Sequence, residues 1–100
     1  MEIDNAEMTS EMIVNKIKKA FVFLRKKSQE IKSLKSYRMI DIKSTSHYEI
    51  LSRLQQCGIV IPTYIDKNID VETIIFDCKE CLKKKFPDLY TIMISSRQGT

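Results

Sequence analysis

The chain has 100 residues, 43% of them hydrophobic and 30% charged, and its formal net charge is +4. This composition is typical of one globular domain and excludes a disordered chain, and no apolar run is long enough to cross a membrane. The acidic start also lacks the features of a signal peptide. We therefore predict a single helical domain over residues 1–100 that frays at 1–8 and 97–100. The length also fits the N-terminal fragment of a longer protein.

The positive charge is concentrated in one segment. Residues 1–15 contain four acidic and no basic side chains, residues 16–43 contain ten basic and two acidic ones, and residues 44–100 contain seven of each. Any surface that binds a polyanion is therefore expected within residues 16–43.

The longest predicted helix lies in this basic segment, from Met12 to Leu34. Its apolar residues recur with the helical period and form one wide face, made of Ile13, Ile17, Ala20, Phe21, Leu24 and Ile31, with Val14 and Phe23 at the edges. Basic side chains occupy the opposite face, and Val22 lies among them as an apolar exception. Thr9 or Ser10 is expected to cap the helix, because a hydroxyl group there can accept a hydrogen bond from a free backbone amide.

The middle of the chain carries weaker signals. Residues 33–46 are polar and rich in serine, and their pattern does not decide between a short strand, a helical turn and a packed loop. Ser46 and Glu49 fit a capping box at the start of a second helix, which Gly58 ends in a left-handed conformation. The apolar run that Pro62 ends is either an edge strand or a buried connector, because proline cannot donate to a sheet.

The clearest helix is the third one. Asn68 or Asp70 is expected to cap it, and it should end at Phe86 because Pro87 disfavours a helical conformation in the residue before it. Its buried stripe has Ile74 near the centre and consists of Val71, Ile74, Ile75, Cys78, Leu82 and Phe86.

The last stretch, which begins at Pro87, fits either a helix or a strand. Proline at the first position favours a short helix, with an inner face formed by Leu89, Ile92, Met93 and Ser96. The alternation of Tyr90, Ile92 and Ile94 would also suit a strand. We favour the helix.

These patterns together predict an all-α fold, a compact bundle of three main helices plus a short fourth, with short extended connectors. The alternative is an α+β fold, in which residues 37–42 and 59–65 pair as a small two-stranded sheet beside the helices.

The three cysteines and the single histidine form a complete zinc-ligand inventory, consisting of Cys57, Cys78, Cys81 and His47. We expect no metal site, because the Cys78-x-x-Cys81 pair lies inside a strong helix. A redox-active pair would instead need its first cysteine at a helix N-terminus. We expect buried free thiols, since the odd count and the spacing do not indicate a disulfide framework, and hence an intracellular, reducing compartment, cytoplasm or nucleus.

No nucleophile, glycine-rich loop or pair of carboxylates at motif spacing accompanies His47, so we predict that the protein is not an enzyme and needs no cofactor. The preferred interpretation is a small non-enzymatic protein–protein interaction or regulatory module, an adaptor, subunit or docking domain of an intracellular assembly, whose partner is another protein. The alternative is a nucleic-acid-binding protein that contacts the DNA or RNA backbone through residues 16–43. The predicted interaction surface comprises Lys18, Lys19, Val22, Arg25, Lys26, Lys32, Lys35 and Arg38.

Overall fold

The computed structural model describes residues 9–33 and 39–95, so the residues predicted to fray, 1–8 and 97–100, lie outside the described part. The elements are helix α1 (Ser10–Ser33), strand β1 (Ile40–Asp41), a 3₁₀ turn (Ile42–Ser44), helix α2 (Tyr48–Leu54), a second 3₁₀ turn (Gln55–Cys57), strand β2 (Tyr64–Ile65), helix α3 (Val71–Lys85) and helix α4 (Pro87–Ser95). The four helices form a bundle in which α1 contacts the other three. This confirms the predicted helical fold, although α2 and not α4 is the shortest helix.

Helix α1 begins at Ser10, two residues before the predicted Met12. One of the two predicted caps is confirmed, because Oγ1 of Thr9 accepts a hydrogen bond from the backbone N–H of Met12 at 3.1 Å. Its buried side chains repeat with the helical period and are Val14, Ile17, Ala20, Phe21, Leu24, Ser28 and Ile31. The buried face is rotated slightly from the prediction, since Val14 is buried and Ile13 is only half-buried. The stripe also includes Ser28, a small polar residue that apolar patterning could not detect.

The two short strands add part of the predicted α+β alternative to the bundle. They pair antiparallel in the register Ile40–Ile65 and Asp41–Tyr64. The backbone N–H of Ile42 donates to the carbonyl of Thr63 at 2.8 Å and extends this pairing. Ile65 of β2 and Ile42, the first residue of the 3₁₀ turn after β1, are fully buried, so the sheet and this turn each contribute one side chain to the core. Residues 59–62 form a connector and not a strand, but the prediction that this connector is buried holds only for Ile61, since Val60 is 78% exposed.

The predicted capping box at the start of α2 is wrong. The N-cap residue is His47, and its side chain makes no capping hydrogen bond. Ser46 lies one residue too early, in the turn before the helix, and Glu49 instead forms an i,i+4 ion pair with Arg53 at 3.5 Å. Gly58 ends this region as predicted, since its φ of 93° lies in the left-handed range that glycine adopts most easily.

Helix α3 begins as predicted and ends at Lys85, one residue before the predicted Phe86. The carboxylate of Asp70 accepts a hydrogen bond from the backbone N–H of Thr73 at 3.3 Å. Phe86 is exposed, so its predicted place on the buried stripe is wrong; the helix ends before this residue, and the helical period no longer directs its side chain inward. The following segment from Pro87 is a helix, as we favoured over a strand.

Two of the three cysteines form a disulfide. Cys57, at the end of the second 3₁₀ turn, is bonded to Cys81 of α3, and their Cα atoms lie 6.0 Å apart, a usual separation for a disulfide. The prediction of free thiols is therefore wrong for this pair, because only the packing of distant segments brings the two residues together. Cys78 is a free and fully buried thiol, and burial raises its pKa to about 12.

The buried face of α3 can be tested by a charge substitution. Ile75 is buried, whereas Ile74, which the pattern placed near the centre of that face, is only half-buried. We expect Ile75→Asp to abolish cooperative unfolding, because an unpaired carboxylate in an apolar core costs several kcal/mol. Phe76→Asp is the matched control at the next position, which is 60% exposed, and should remain folded. Urea denaturation followed by circular dichroism measures both; a cooperatively folded Ile75→Asp protein would contradict the packing.

The disulfide should stabilise the fold because it reduces the conformational entropy of the unfolded chain. It joins residues 24 positions apart, and a closed loop of that size is worth about 3 kcal/mol of unfolding free energy. We expect a reductant to lower the unfolding free energy of the wild type by about this amount and to leave Cys57→Ser unchanged. Thiol titration of the unreduced, denatured protein should detect one thiol. Stability that is insensitive to the reductant, or three titrating thiols, would show that the bond does not form.

Candidate interaction surface

The residues predicted to form one interaction surface are divided among several places. Lys18, Val22 and Arg25 border a groove that α1 forms with α3 and α4. Lys19 lines a different cavity, together with residues around the start of α2. Adjacent helical residues point about 100° apart, so Lys18 and Lys19 approach different neighbouring elements.

The remaining predicted residues lie towards the C-terminal end of α1 or beyond it. Lys26 and Lys32 border a shallow depression along this part of the helix. Lys35 and Arg38 lie outside the described residues, as does Ser96. Three of the six described members of the predicted set, Lys18, Val22 and Arg25, therefore meet at the groove next to Val22.

The groove encloses about 470 Å³, a volume within the range of protein ligand clefts. It is lined by Lys18, Phe21, Val22 and Arg25 of α1, Lys79 of α3, and Tyr90, Met93 and Ile94 of α4. Helical geometry explains this grouping, because residues three, four and seven positions apart lie on the same side of a helix. Each of the two walls is thus one stripe of a helix.

Large apolar side chains remain accessible in and beside the groove. Val22 is 61% exposed and Ile94 is 49% exposed. Phe76, which is also exposed, lies three residues from Lys79 and one turn from Glu72, and hence on the same side of α3. A single exposed apolar residue is ordinary, but several of them at a concave surface are typical of an interaction site.

A bidentate ion pair connects α1 to α3 at the edge of the groove. Nε and Nη2 of Arg25 donate to the two carboxylate oxygens of Glu72, at 2.8 and 3.0 Å. This hydrogen bonding raises the pKa of Arg25 and lowers the pKa of Glu72. Lys18 and Lys79 add positive charge, and no acidic side chain among the described residues lines the groove itself. The rim is therefore basic.

The α4 side of the groove was missed by the sequence analysis. Leu89 and Ile92 are half-buried and Met93 is buried, as predicted for the inner face. The same helix leaves Ile94 on its outer side, where it meets the groove. An apolar residue outside the predicted inner face is the signal that could have located this wall, just as Val22 stood out on α1.

The cysteines and His47 do not assemble into a metal site. Within residues 9–33 and 39–95, no group of three or more His, Cys, Asp or Glu side chains could hold a metal ion. Cys57 and Cys81 are bonded to each other, and the ring of His47 lies against that of Phe23, with centroids 4.7 Å apart. The candidate zinc ligands are thus not gathered at one place.

Comparisons of the chain with protein-family models, with curated proteins and with solved structures found no match. In the part of the chain that the structure describes, every helix is too short or too polar to cross a lipid bilayer.

Two carboxylates should make stability sensitive to acid. Hydrogen bonds from Thr73 to Asp70 and from Arg25 to Glu72 lower the pKa of each carboxylate. Because these groups bind protons less readily in the folded than in the unfolded protein, the stability they add is complete above their unfolded pKa values. This stability is lost as the pH falls through the pKa values that the two carboxylates have in the folded protein.

We therefore expect the free energy of unfolding to fall between about pH 5 and pH 2, and to fall less in an Asp70→Asn/Glu72→Gln variant. Urea denaturation at a series of pH values measures the effect. Asp88→Asn, which removes a carboxylate elsewhere, is the control. An equal change of pH dependence in the control and in the double variant would contradict the assignment of the acid sensitivity to Asp70 and Glu72.

Proposed function

We propose that the protein is a non-enzymatic interaction module that binds an acidic, amphipathic helical segment of another protein in the groove between α1 and α4. The observation that carries the proposal is the combination of accessible apolar side chains, Val22 and Ile94, with a basic rim. Recognition of a helix in a groove uses this combination: apolar anchors enter the groove while charged residues of the ligand meet its rim.

The dimensions of the groove suit a short helix. Its α1 wall extends from Lys18 to Arg25, about 10 Å along the helix axis. A ligand helix of two or three turns covers this length and presents two or three apolar side chains on one face. Covering the exposed parts of Val22 and Ile94 would contribute about 1 kcal/mol each, and the ligand's own apolar side chains would contribute more.

The charges select the kind of helix that fits. Lys18, Arg25 and Lys79 surround the groove, and Glu72 beside them is already bonded to Arg25. Glutamate or aspartate residues on the flanks of a ligand would be attracted to these cations, and association would be faster at low salt. A basic helix would be repelled.

A second copy of the chain is a less suitable occupant. Two-fold pairing through the same groove would place the basic rim of one protomer against that of the other, and juxtaposed like charges are unfavourable. The charge pattern therefore favours a different protein as the partner.

The alternative, a nucleic-acid-binding protein that uses residues 16–43, has weaker support. The described cations of this segment face different sides of α1, and Arg25 and Lys27 are paired with Glu72 and Glu30. Binding to a phosphate backbone needs several cations along one strip. Titration of the protein into labelled duplex DNA and RNA separates the two functions, since tight binding that weakens steeply with salt would favour nucleic acid.

The disulfide is evidence about the cellular compartment in which the protein would bind such a partner. Disulfides persist mainly in oxidising compartments, so the Cys57–Cys81 bond counts against the predicted intracellular, reducing location. That location stays a prediction. Thiol counting on protein purified from its natural source under alkylating conditions tests it.

The groove can be tested with a labelled peptide of about 14 residues, designed as an amphipathic helix with leucines on one face and glutamates on the flanks. Fluorescence anisotropy should show saturable binding to the full chain. We expect Val22→Asp and Ile94→Asp each to weaken binding about tenfold or more, because a carboxylate replaces an apolar contact and repels the acidic peptide. The same peptide with lysine in place of glutamate should bind far more weakly.

Val60→Asp is the matched control, since Val60 is 78% exposed and lies outside the groove. It adds the same charge and should change affinity by less than about twofold. An equal loss in Val60→Asp, or equal binding of the lysine peptide, would contradict the proposal. Self-association that Val22→Asp abolishes would identify a second copy as the occupant instead. Tighter peptide binding after deletion of residues 1–8 would identify the acidic N-terminus of the chain itself as the occupant of the groove.

A further inference from the structure

A second concave site lies on a different side of α1, where the N-terminal half of this helix approaches the start of α2. It encloses about 280 Å³, close to the lower limit of small-molecule sites. Its lining consists of Lys16 and Lys19 of α1 with Ser46, His47, Glu49, Ile50 and Arg53. It shares no lining residue with the groove between α1 and α4 and is therefore a separate site.

The charged groups of this cavity favour an anion. Lys16 and Lys19 lie one turn apart on the same side of α1, and neither forms an ion pair within the described residues. Arg53 lies 3.5 Å from Glu49, but both side chains are largely exposed, and exposed pairs of this kind are weak. Arg53 can therefore leave Glu49 and bind an anion that interacts with it more strongly. Three cations and one carboxylate line the cavity.

His47 and Ser46 add further hydrogen-bonding groups. The ring of His47 contacts that of Phe23, at 4.7 Å between centroids and an angle of 37° between planes. His47 makes no side-chain hydrogen bond to the end of its own helix. A ring N–H and a neighbouring hydroxyl group are donors that can contact the oxygens of a tetrahedral anion.

We propose that this cavity binds a small phosphate monoester. Lys16, Lys19 and Arg53 would surround the dianionic phosphate, and the arginine would contribute a bidentate fork to two of its oxygens. The buried Ile50 supplies an apolar wall against which the organic part of the ligand can pack. The cavity has a volume of about 280 Å³, which is enough for a phosphate group with a small organic part.

The test is a ¹⁵N–¹H NMR titration of the full chain with glycerol 3-phosphate, against sodium chloride at matched ionic strength. We expect saturable shifts confined to the amides around the cavity. Lys19→Gln and Arg53→Gln should each weaken binding about tenfold, because each removes a charge-assisted hydrogen bond. Glu49→Gln should tighten binding severalfold, since it removes the carboxylate that competes for Arg53. Misfolding cannot produce such a gain.

Lys26→Gln is the matched control, because it removes an exposed lysine of the same helix outside the cavity, and it should leave affinity within about twofold. Val22→Asp should also leave phosphate binding intact. A failure of the proposed peptide binding in the groove can therefore be distinguished from a failure of the proposed phosphate binding in the cavity. Shifts that do not saturate, shifts that sodium chloride reproduces, or an equal loss in Lys26→Gln would overturn the proposal. A Glu49→Gln protein with no gain in affinity would also overturn it.

Discussion

The apolar side of α1 is the constraint on which the rest of the structure depends. This helix contacts α2, α3 and α4, and it buries seven side chains, against five for α3, the next largest contributor among the described helices. Full burial of one aliphatic side chain is worth about 1.5–3 kcal/mol. The fold therefore needs this face inside, and a ligand can reach α1 only from its other sides and from the edge at Phe21.

Because α4 packs on one side of α1 and α2 on the other, the polar face of α1 is divided into two edges. The edge that approaches α4 combines Val22 with cations and becomes a groove with an apolar floor, whereas the edge that approaches α2 combines lysines with His47 and Arg53. The Arg25–Glu72 pair connects α1 to α3 at the border of the groove. One helix thus borders two concave surfaces of different chemistry, and we propose an acidic helix as the ligand of the first and a small anion as the ligand of the second.

Most of the helical fold could be predicted because its signals are local. Periodicity, caps and breakers act over a few residues. They predicted Gly58 and Pro87 directly and left two candidates for each of the other two caps, of which the structure uses Thr9 and Asp70. Features that depend on contacts between distant segments were missed or only partly predicted. Among these are the Cys57–Cys81 bond, the exact length of the strands, and the α4 wall of the groove. Val22 was recognisable because it breaks the pattern of its own helix, whereas Lys79 and Ile94 join it only through packing.

The central claim, that α1 buries one face while Val22 stays accessible beside a groove, is tested most directly by solvent paramagnetic relaxation. A neutral gadolinium chelate added to methyl-labelled protein broadens the signals of exposed methyl groups. The methyl signals of Ile17, Leu24 and Ile31 should be protected, while those of Val22 and Ile94 should broaden strongly. Uniform broadening along α1 would show that the helix does not form the core. Protection of Val22 and Ile94 in the free protein would show that the groove is already covered.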